Sequence, residues 1–246
     1  MTAVLIDTET TGIEEPDVIQ LAWLPLLPVF TGAPETLKDL GAGVTLNRYR
    51  PRKPITLGAM ATHHILDEEL EQETPWEGTW SPPPLTQYLV AHNVDYDWKA
   101  IGSPDIKRIC TLALARRLWP DIDSHSIGAL IYHLYPRKEA RDMLRGAHDA
   151  GIDADLCYRV LLAELRLMPL IASWDRLWEA SEKARVPTHM TFGKYGPYEA
   201  WAKANGGPMK CAEVKTRDPG YLSWLLNKCD QVQEDPYLRK ALGGAT

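Results

Sequence analysis

Val4-Leu5-Ile6-Asp7-Thr8-Glu9-Thr10-Thr11-Gly12 is the stretch whose reading decides the fold. Its β-branched and aliphatic start, bounded by Thr and Gly, is the pattern of a buried strand. Alternate strand residues project to one face, so Asp7 and Glu9 point together from the strand's end. Two adjacent carboxylates repel in a low-dielectric setting unless a cation lies between them. An isolated Asp-x-Glu is most simply a strand-end turn with surface acids. The Thr10-Thr11-Gly12 that follows shifts the balance. Its hydroxyls and exposed backbone N–H groups can hold a phosphate or a terminal sugar, and Gly12 permits a tight turn.

Outward from this strand, Val18 to Leu27 is a second apolar segment and Gly43 to Tyr49 alternates as a third strand. Leu57 to Ile65 has a helical pattern. Pro75 to Pro84, rich in Pro, Trp and Gly, is expected to be a surface loop. Tyr88 to His92 and Ile106 to Cys110 are further strands. The second of these leads into a helix over Leu112 to Leu118, which Pro120 ends. Ser126 to Tyr135 and Ala154 to Leu167 are also helical. Strands first, then strands alternating with helices, indicate an α/β fold with a mixed sheet. Composition changes between Pro169 and Pro187, which places a boundary near residue 180. A small C-terminal module over 181–242 and a disordered tail over 243–246 are expected beyond it.

Further acidic clusters lie downstream. His92-Asn93-Val94-Asp95-Tyr96-Asp97 offers Asp95 and Asp97, which chemistry alone does not separate. An acid opening a helix is ordinarily a cap or a dipole partner. His148-Asp149-Ala150-Gly151-Ile152-Asp153, with Asp155 just beyond, could be an ordinary helix start. If His148 sits on the loop leading into that helix, its imidazole reaches a metal-bound water while Asp153 ligates from the first turns. An imidazole with an ordinary pKa of about 6.5 suits a general base near neutral pH. Four carboxylates and one imidazole suit a site for two hard divalent cations and an activated water, which is chemistry for cutting a phosphodiester.

Bulk properties fit that reading. At 246 residues, 45% hydrophobic and 24% charged, the chain can hold one sizeable core with a small appendage. No apolar run reaches the roughly 18 residues of a membrane span, and no signal peptide is evident, so a cytoplasmic protein is expected. Cys110, Cys157, Cys211 and Cys229 show no C-x-x-C spacing and are expected as free, mostly buried thiols. A net charge of −6 argues against a protein that coats nucleic acid generically, but not against a nuclease, whose site is acidic until metal fills it. The basic runs Arg48 to Lys53 and Arg137-Lys138 are either solvated loops or guides for phosphates. Nine tryptophans could supply base-stacking platforms; most belong in cores, with Trp76 or Trp80 as the exposed candidates.

Taken together, the three clusters resemble the DEDDh 3′→5′ exonucleases, whose pattern runs D-x-E-T-T-G, then H-N-x-x-[FY]-D, then H-x-x-x-x-D. The resemblance covers roughly residues 1 to 167. It selects Asp97 over Asp95, and His148 with Asp153 over Asp149 and Asp155. It implies a ribonuclease H-like mixed β-sheet flanked by helices. It also implies two Mg²⁺ or Mn²⁺ ions held by Asp7, Glu9, Asp97 and Asp153, with His148 as general base. Oxygen ligation favours those ions over zinc. Thr10, Ile13, His63 and Asn93 match family contacts to the terminal nucleotide, although His63 could equally be a surface histidine.

Ile109 to Pro120, and Met190 to Gly196 with Asp218 to Leu226, are similar to segments of the exodeoxyribonuclease X branch, including its small C-terminal module. The intervening 199–216 stretch is longer than that branch leads one to expect. The implied partner is nucleic acid with a free 3′ end, DNA rather than RNA; a homodimer is compatible. The same catalytic residues also fit an exoribonuclease. A proofreading or adaptor subunit that works by binding a replication partner would need a partner-binding tail, and none is visible.

Overall fold

The computed structural model describes residues 2–26 and 43–244. In chain order it contains β1 (Thr2–Thr10), β2 (Val18–Leu26), β3 (Thr45–Arg50), α1 (Leu57–His63), β4 (Thr74–Pro75), β5 (Thr86–Ala91) and α2 (Val94–Ala100). Then come β6 (Lys107–Cys110), α3 (Thr111–Leu118), α4 (Ile127–Leu134), α5 (Arg137–Met143), α6 (Ala150–Leu167) and α7 (Trp174–Arg185). Leu27, expected at the end of the second strand, lies outside the described residues. The chain folds as two compact units, Met1–Ser181 and Glu182–Thr246.

In the first unit the strands form one mixed sheet in the order β4-β3-β2-β1-β5-β6. β1 runs antiparallel to β2 and parallel to β5. Val4, Leu5 and Ile6 are buried, as the unbroken apolar run requires of an interior strand covered on both faces. α6 packs against β1 and β2, with α3 and α4 against α6, while α2 packs beside β1, β5 and β6. Both acid-bearing helices therefore converge on the strand that carries Asp7 and Glu9. The β1–β2 register shifts between Glu9 and Thr10, an irregularity of the kind that re-aims side chains at a sheet's functional edge.

The helix expected from Ala154 begins at Ala150, because the Asp149 side chain accepts from the Gly151 and Ile152 N–H groups and caps it. The short helices α2 and α5 and the longer α7 are additions to the elements expected from sequence. Trp76, in the expected surface loop, is 2% exposed and packs edge-on against Tyr49, so it is a core residue rather than a stacking platform. Trp80 is half-buried with its ring tilted against Trp23. The Arg48–Lys53 run is drawn into internal contacts. Arg50 donates to the Glu71 carbonyl, Arg52 pairs with the buried Asp17, and Lys53 donates to the Glu14 and Glu15 carbonyls. All four cysteines are free and buried. Among the described residues no helix is long and apolar enough to cross a membrane.

The second unit is helical: α8 (Ala200–Asn205), α9 (Cys211–Arg217), α10 (Pro219–Lys228), α11 (Asp230–Glu234) and α12 (Pro236–Ala241). Met190, Met209, Val214, Leu225, Val232 and Leu238 are in its core. Asp218 ties its two motif segments together. Its carboxylate accepts from Lys194 Nζ at 2.7 Å, the Tyr195 hydroxyl at 2.9 Å and the Tyr221 N–H at 3.0 Å, and these bonds pull its pKa down to about 2. Gly193 has φ 68°, and a Cβ there would stand 2.3 Å from the Tyr221 hydroxyl oxygen. Gly193→Ala is therefore expected to destabilise this unit by about 1–3 kcal/mol, read as a lower urea midpoint in tryptophan fluorescence. Of the expected tail, Gly243 and Gly244 donate to the Lys240 and Arg239 carbonyls; residues 245 and 246 lie outside the described residues.

Candidate active site

Asp7 and Glu9 stand half-buried at the C-terminal end of β1. Thr8, between them, donates its hydroxyl to Asp97 Oδ1 at 2.8 Å. That bond brings the α2 acid to β1 and leaves Asp97 only 4% exposed. Asp95, two residues earlier on the same helix, forms an ion pair with Arg108 on β6. The two acids that chemistry could not separate thus have different surroundings.

The third cluster divides similarly. His148 sits just ahead of α6 with a left-handed backbone, φ 70°, and its N–H donates to Asp153 Oδ2 at 3.2 Å. Asp149 is occupied as the helix cap, and Asp155 pairs with Arg159 one turn on. Asp153 remains facing the end of β1. Ligand atoms of Glu9, His148 and Asp153 all lie within 4.8 Å of one another, so His148 joins the group that could hold a metal.

The electrostatics of this cluster are those of a cation site. Burial pushes Asp7 well above the usual carboxylate range, and Asp97, Asp153, Glu9 and Asp149 push it further. Burial, then Asp153, Asp97 and Asp149, raises Glu9 to about 8. Burial raises Asp97 to about 7 against the opposing bond from Thr8. Asp153 is also raised by burial. Every influence on Asp7 and Glu9 is upward, so no cation among the described residues compensates their charge. Oxygen donors in that condition fit a hard divalent ion, whose charge would reverse these shifts.

The expected nucleotide contacts fall around the end of β1 and the start of α2. Ile13 projects with 86% exposure. Asn93 is exposed with φ 67° and makes no side-chain cap to α2. Thr10 is buried; its hydroxyl bonds to the Gly12 carbonyl at 2.9 Å and to the Tyr96 hydroxyl, which itself reaches Gly12 O at 2.9 Å. His63 is buried rather than on the surface. Its Nδ1 accepts from the Ile65 N–H at 3.0 Å, which leaves Nε2 protonated to donate to the Thr10 carbonyl at 3.2 Å. The ring is therefore spent on backbone, holding the turn that presents Gly12 and Ile13.

Gln20 is a functional candidate outside the sequence motifs, whereas Tyr96 is the aromatic position of the second motif, which carries no role in the sequence reading. Gln20 left a signal: it is the one polar side chain in the otherwise apolar Val18–Leu26, and it is 4% exposed. A buried polar residue is more informative than any exposed apolar one.

Sheet order, the acids at the end of β1, and the His–Asp pair at the start of α6 are arranged as in a ribonuclease H-like fold. Over nearly its whole length it resembles exodeoxyribonuclease 10 of Escherichia coli K12. The identity is 29% over 242 residues, 97% of this chain and 96% of that protein. The corresponding protein of E. coli O6:H1 matches to the same extent. Among solved structures, exonuclease X in complex with 5′-overhanging duplex DNA superposes with a TM-score of 0.54 at 24% identity, covering 73% of this chain and 99% of that one. Zinc-bound E. coli exonuclease I with single-stranded DNA gives a TM-score of 0.50 at 17% identity, covering 72% of this chain and 42% of that one. These likenesses establish the fold. No protein-family model matches the chain.

Proposed function

We propose that the chain is a metal-dependent exonuclease that removes 5′-mononucleotides from free 3′ ends of DNA. The observation that carries this reading is the convergence of Asp7, Glu9, Asp97 and Asp153 with His148 at one strand end. The full-length similarity to exodeoxyribonuclease 10 supports it. Asp7, Glu9, Asp97 and Asp153 would hold a pair of Mg²⁺ or Mn²⁺ ions, which when bound neutralise the scissile phosphate and acidify the attacking water. His148, exposed at the mouth of the cluster, accepts that water's proton. The water oxygen bonds to phosphorus as the bond to the 3′-oxygen breaks, and that oxygen takes a proton from solvent, releasing a 5′-mononucleotide and leaving a shortened strand with a 3′-hydroxyl. The clamped Thr10–Ile13 turn and Asn93 receive the terminal nucleotide.

The test is digestion of matched 5′-labelled DNA and RNA strands and a DNA duplex, with Mg²⁺, Mn²⁺ or EDTA. A ladder shortening from the 3′ end, metal-dependent and faster on DNA, is expected. No shortening with either ion would overturn the proposal, and faster loss of RNA would move the substrate to the other sugar.

A further inference from the structure

His148 and Asp153 meet Glu9 at the start of α6, and that start is hydrogen-bonded to β2 through one buried side chain, Gln20. Gln20 stands directly opposite Glu9 in the β1–β2 ladder, so the two side chains are neighbours on one face of the sheet. Gln20 Nε2 donates to Asp149 Oδ2 at 3.1 Å, and its Oε1 accepts the Ala150 N–H at 3.1 Å. A carboxylate can only accept and a backbone N–H can only donate, so the amide orientation is fixed by its partners. Asp149 Oδ1 in turn accepts from the Gly151 and Ile152 N–H groups at 3.0 and 3.3 Å. The Asp149 carbonyl accepts from the Asp153 N–H at 2.9 Å, and Asp153 Oδ2 accepts from the His148 N–H. The chain of bonds thus starts across the ladder from Glu9 and ends on the two residues that meet it.

We propose that Gln20 is a positioning residue: by gripping Asp149 and Ala150 it sets the first turn of α6, and so places His148 and Asp153 against Glu9. An amide is required there because one partner accepts and the other donates. Ala150 N–H is among the helix's first donors, which have no partner inside the helix. A carboxylate at position 20 would satisfy Ala150 but would oppose the Asp149 carboxylate. The inference rests on the exonuclease reading only for its activity readout; the metal-site geometry is tested separately.

The experiment compares wild type with Gln20→Met, Gln20→Glu and the double variant Gln20→Glu/Asp149→Asn. The double variant exchanges donor and acceptor between the two side chains, conserves net charge and keeps an acceptor for Ala150 N–H. Steady-state kinetics on a 5′-labelled strand, Mn²⁺ binding by calorimetry and melting in EDTA are measured for each. Removal of a residue that orients ligands typically costs about 10–100-fold. Gln20→Met is expected to weaken Mn²⁺ binding and lower kcat by about tenfold or more, with KM changed by less than about twofold. Gln20→Glu should lose kcat likewise, and the double variant should recover to within about threefold of wild type. A merely structural role would lower the melting temperature without that split or that rescue. The proposal is overturned if Gln20→Met keeps wild-type Mn²⁺ affinity, or if the double variant is no better than Gln20→Glu. If wild type shortens no strand, the exonuclease reading has failed, and the Mn²⁺ affinities decide on Gln20 by the same criterion.

Discussion

Asp7→Asn is expected to slow strand shortening by about 10³-fold or more while raising the melting temperature of the metal-free protein at pH 8. Both effects have one cause. Asp7 is held among Asp97, Asp153, Glu9 and Asp149, and burial adds to their repulsion. Without a divalent ion the folded state must keep protons that the unfolded chain releases at that pH. An amide of nearly the same shape needs no proton and relieves Glu9 and Asp97 as well. With the ions present the sign reverses, because the cluster's charge is what holds them and the amide's oxygen is a weaker donor. Single-turnover rates on a labelled strand with Mg²⁺, beside thermal melts in EDTA, check the two halves independently. A variant within about tenfold of the wild-type rate would remove Asp7 from the reaction. A variant that melts lower than wild type in EDTA would show that the cluster is not under electrostatic strain.

Much of this site was legible in the sequence because its residues come in short motifs that local structure displays directly. Alternation on a buried strand put Asp7 and Glu9 on one face, and β1 bears them that way. The choice between Asp95 and Asp97 was not legible from chemistry. It depends on Arg108, thirteen residues on in β6, which takes Asp95. The same holds for Asp149, whose second carboxylate oxygen meets Gln20 from 129 residues away. His63 illustrates the other limit. A histidine ending a short helix looks exposed until the fold closes the Thr10 carbonyl over it across 53 residues. Helices α2 and α5 carry no helical signal because Val94–Ala100 alternates apolar and charged residues at a strand-like period and Arg137–Met143 is mostly charged. In the C-terminal unit, Gly, Pro and polar residues break the apolar pattern into pieces. Its core could be recognised only once Asp218 had drawn Lys194, Tyr195 and Tyr221 together.

In EDTA, the melting temperature of the protein is expected to fall as pH rises from 6.5 to 8.5, and Mg²⁺ or Mn²⁺ should reverse that fall. Asp97 titrates at about 7 and Glu9 at about 8, with Asp7 also raised, whereas unfolded carboxyls titrate near about 4. A raised folded-state value means that the native protein binds the proton more tightly than the unfolded chain. That stabilisation is complete below about pH 4 and is lost as pH climbs through the folded-state values, at roughly 1.4 kcal/mol per pH unit for each group still protonated. His92, lowered to about 4, and His63, also lowered, act in the opposite direction, but only below the ordinary histidine value of about 6.5. Asp17 and Asp218, both lowered, act only in the acid range where carboxyls ordinarily titrate. Burial also raises Glu164, Cys157 and Cys211, which act in the same direction, so the part of the fall that Mg²⁺ or Mn²⁺ reverses is what reports on the cluster. Divalent ions occupy the deprotonated form, so binding must expel protons near pH 7, and the ion's stabilising effect must grow with pH. Calorimetry of Mn²⁺ binding in buffers of different ionisation enthalpy counts those protons. A melting temperature flat or rising between pH 6.5 and 8.5 in EDTA, or metal binding without proton release, would mean that the carboxylates are compensated within the protein and that no cation is needed to hold them together.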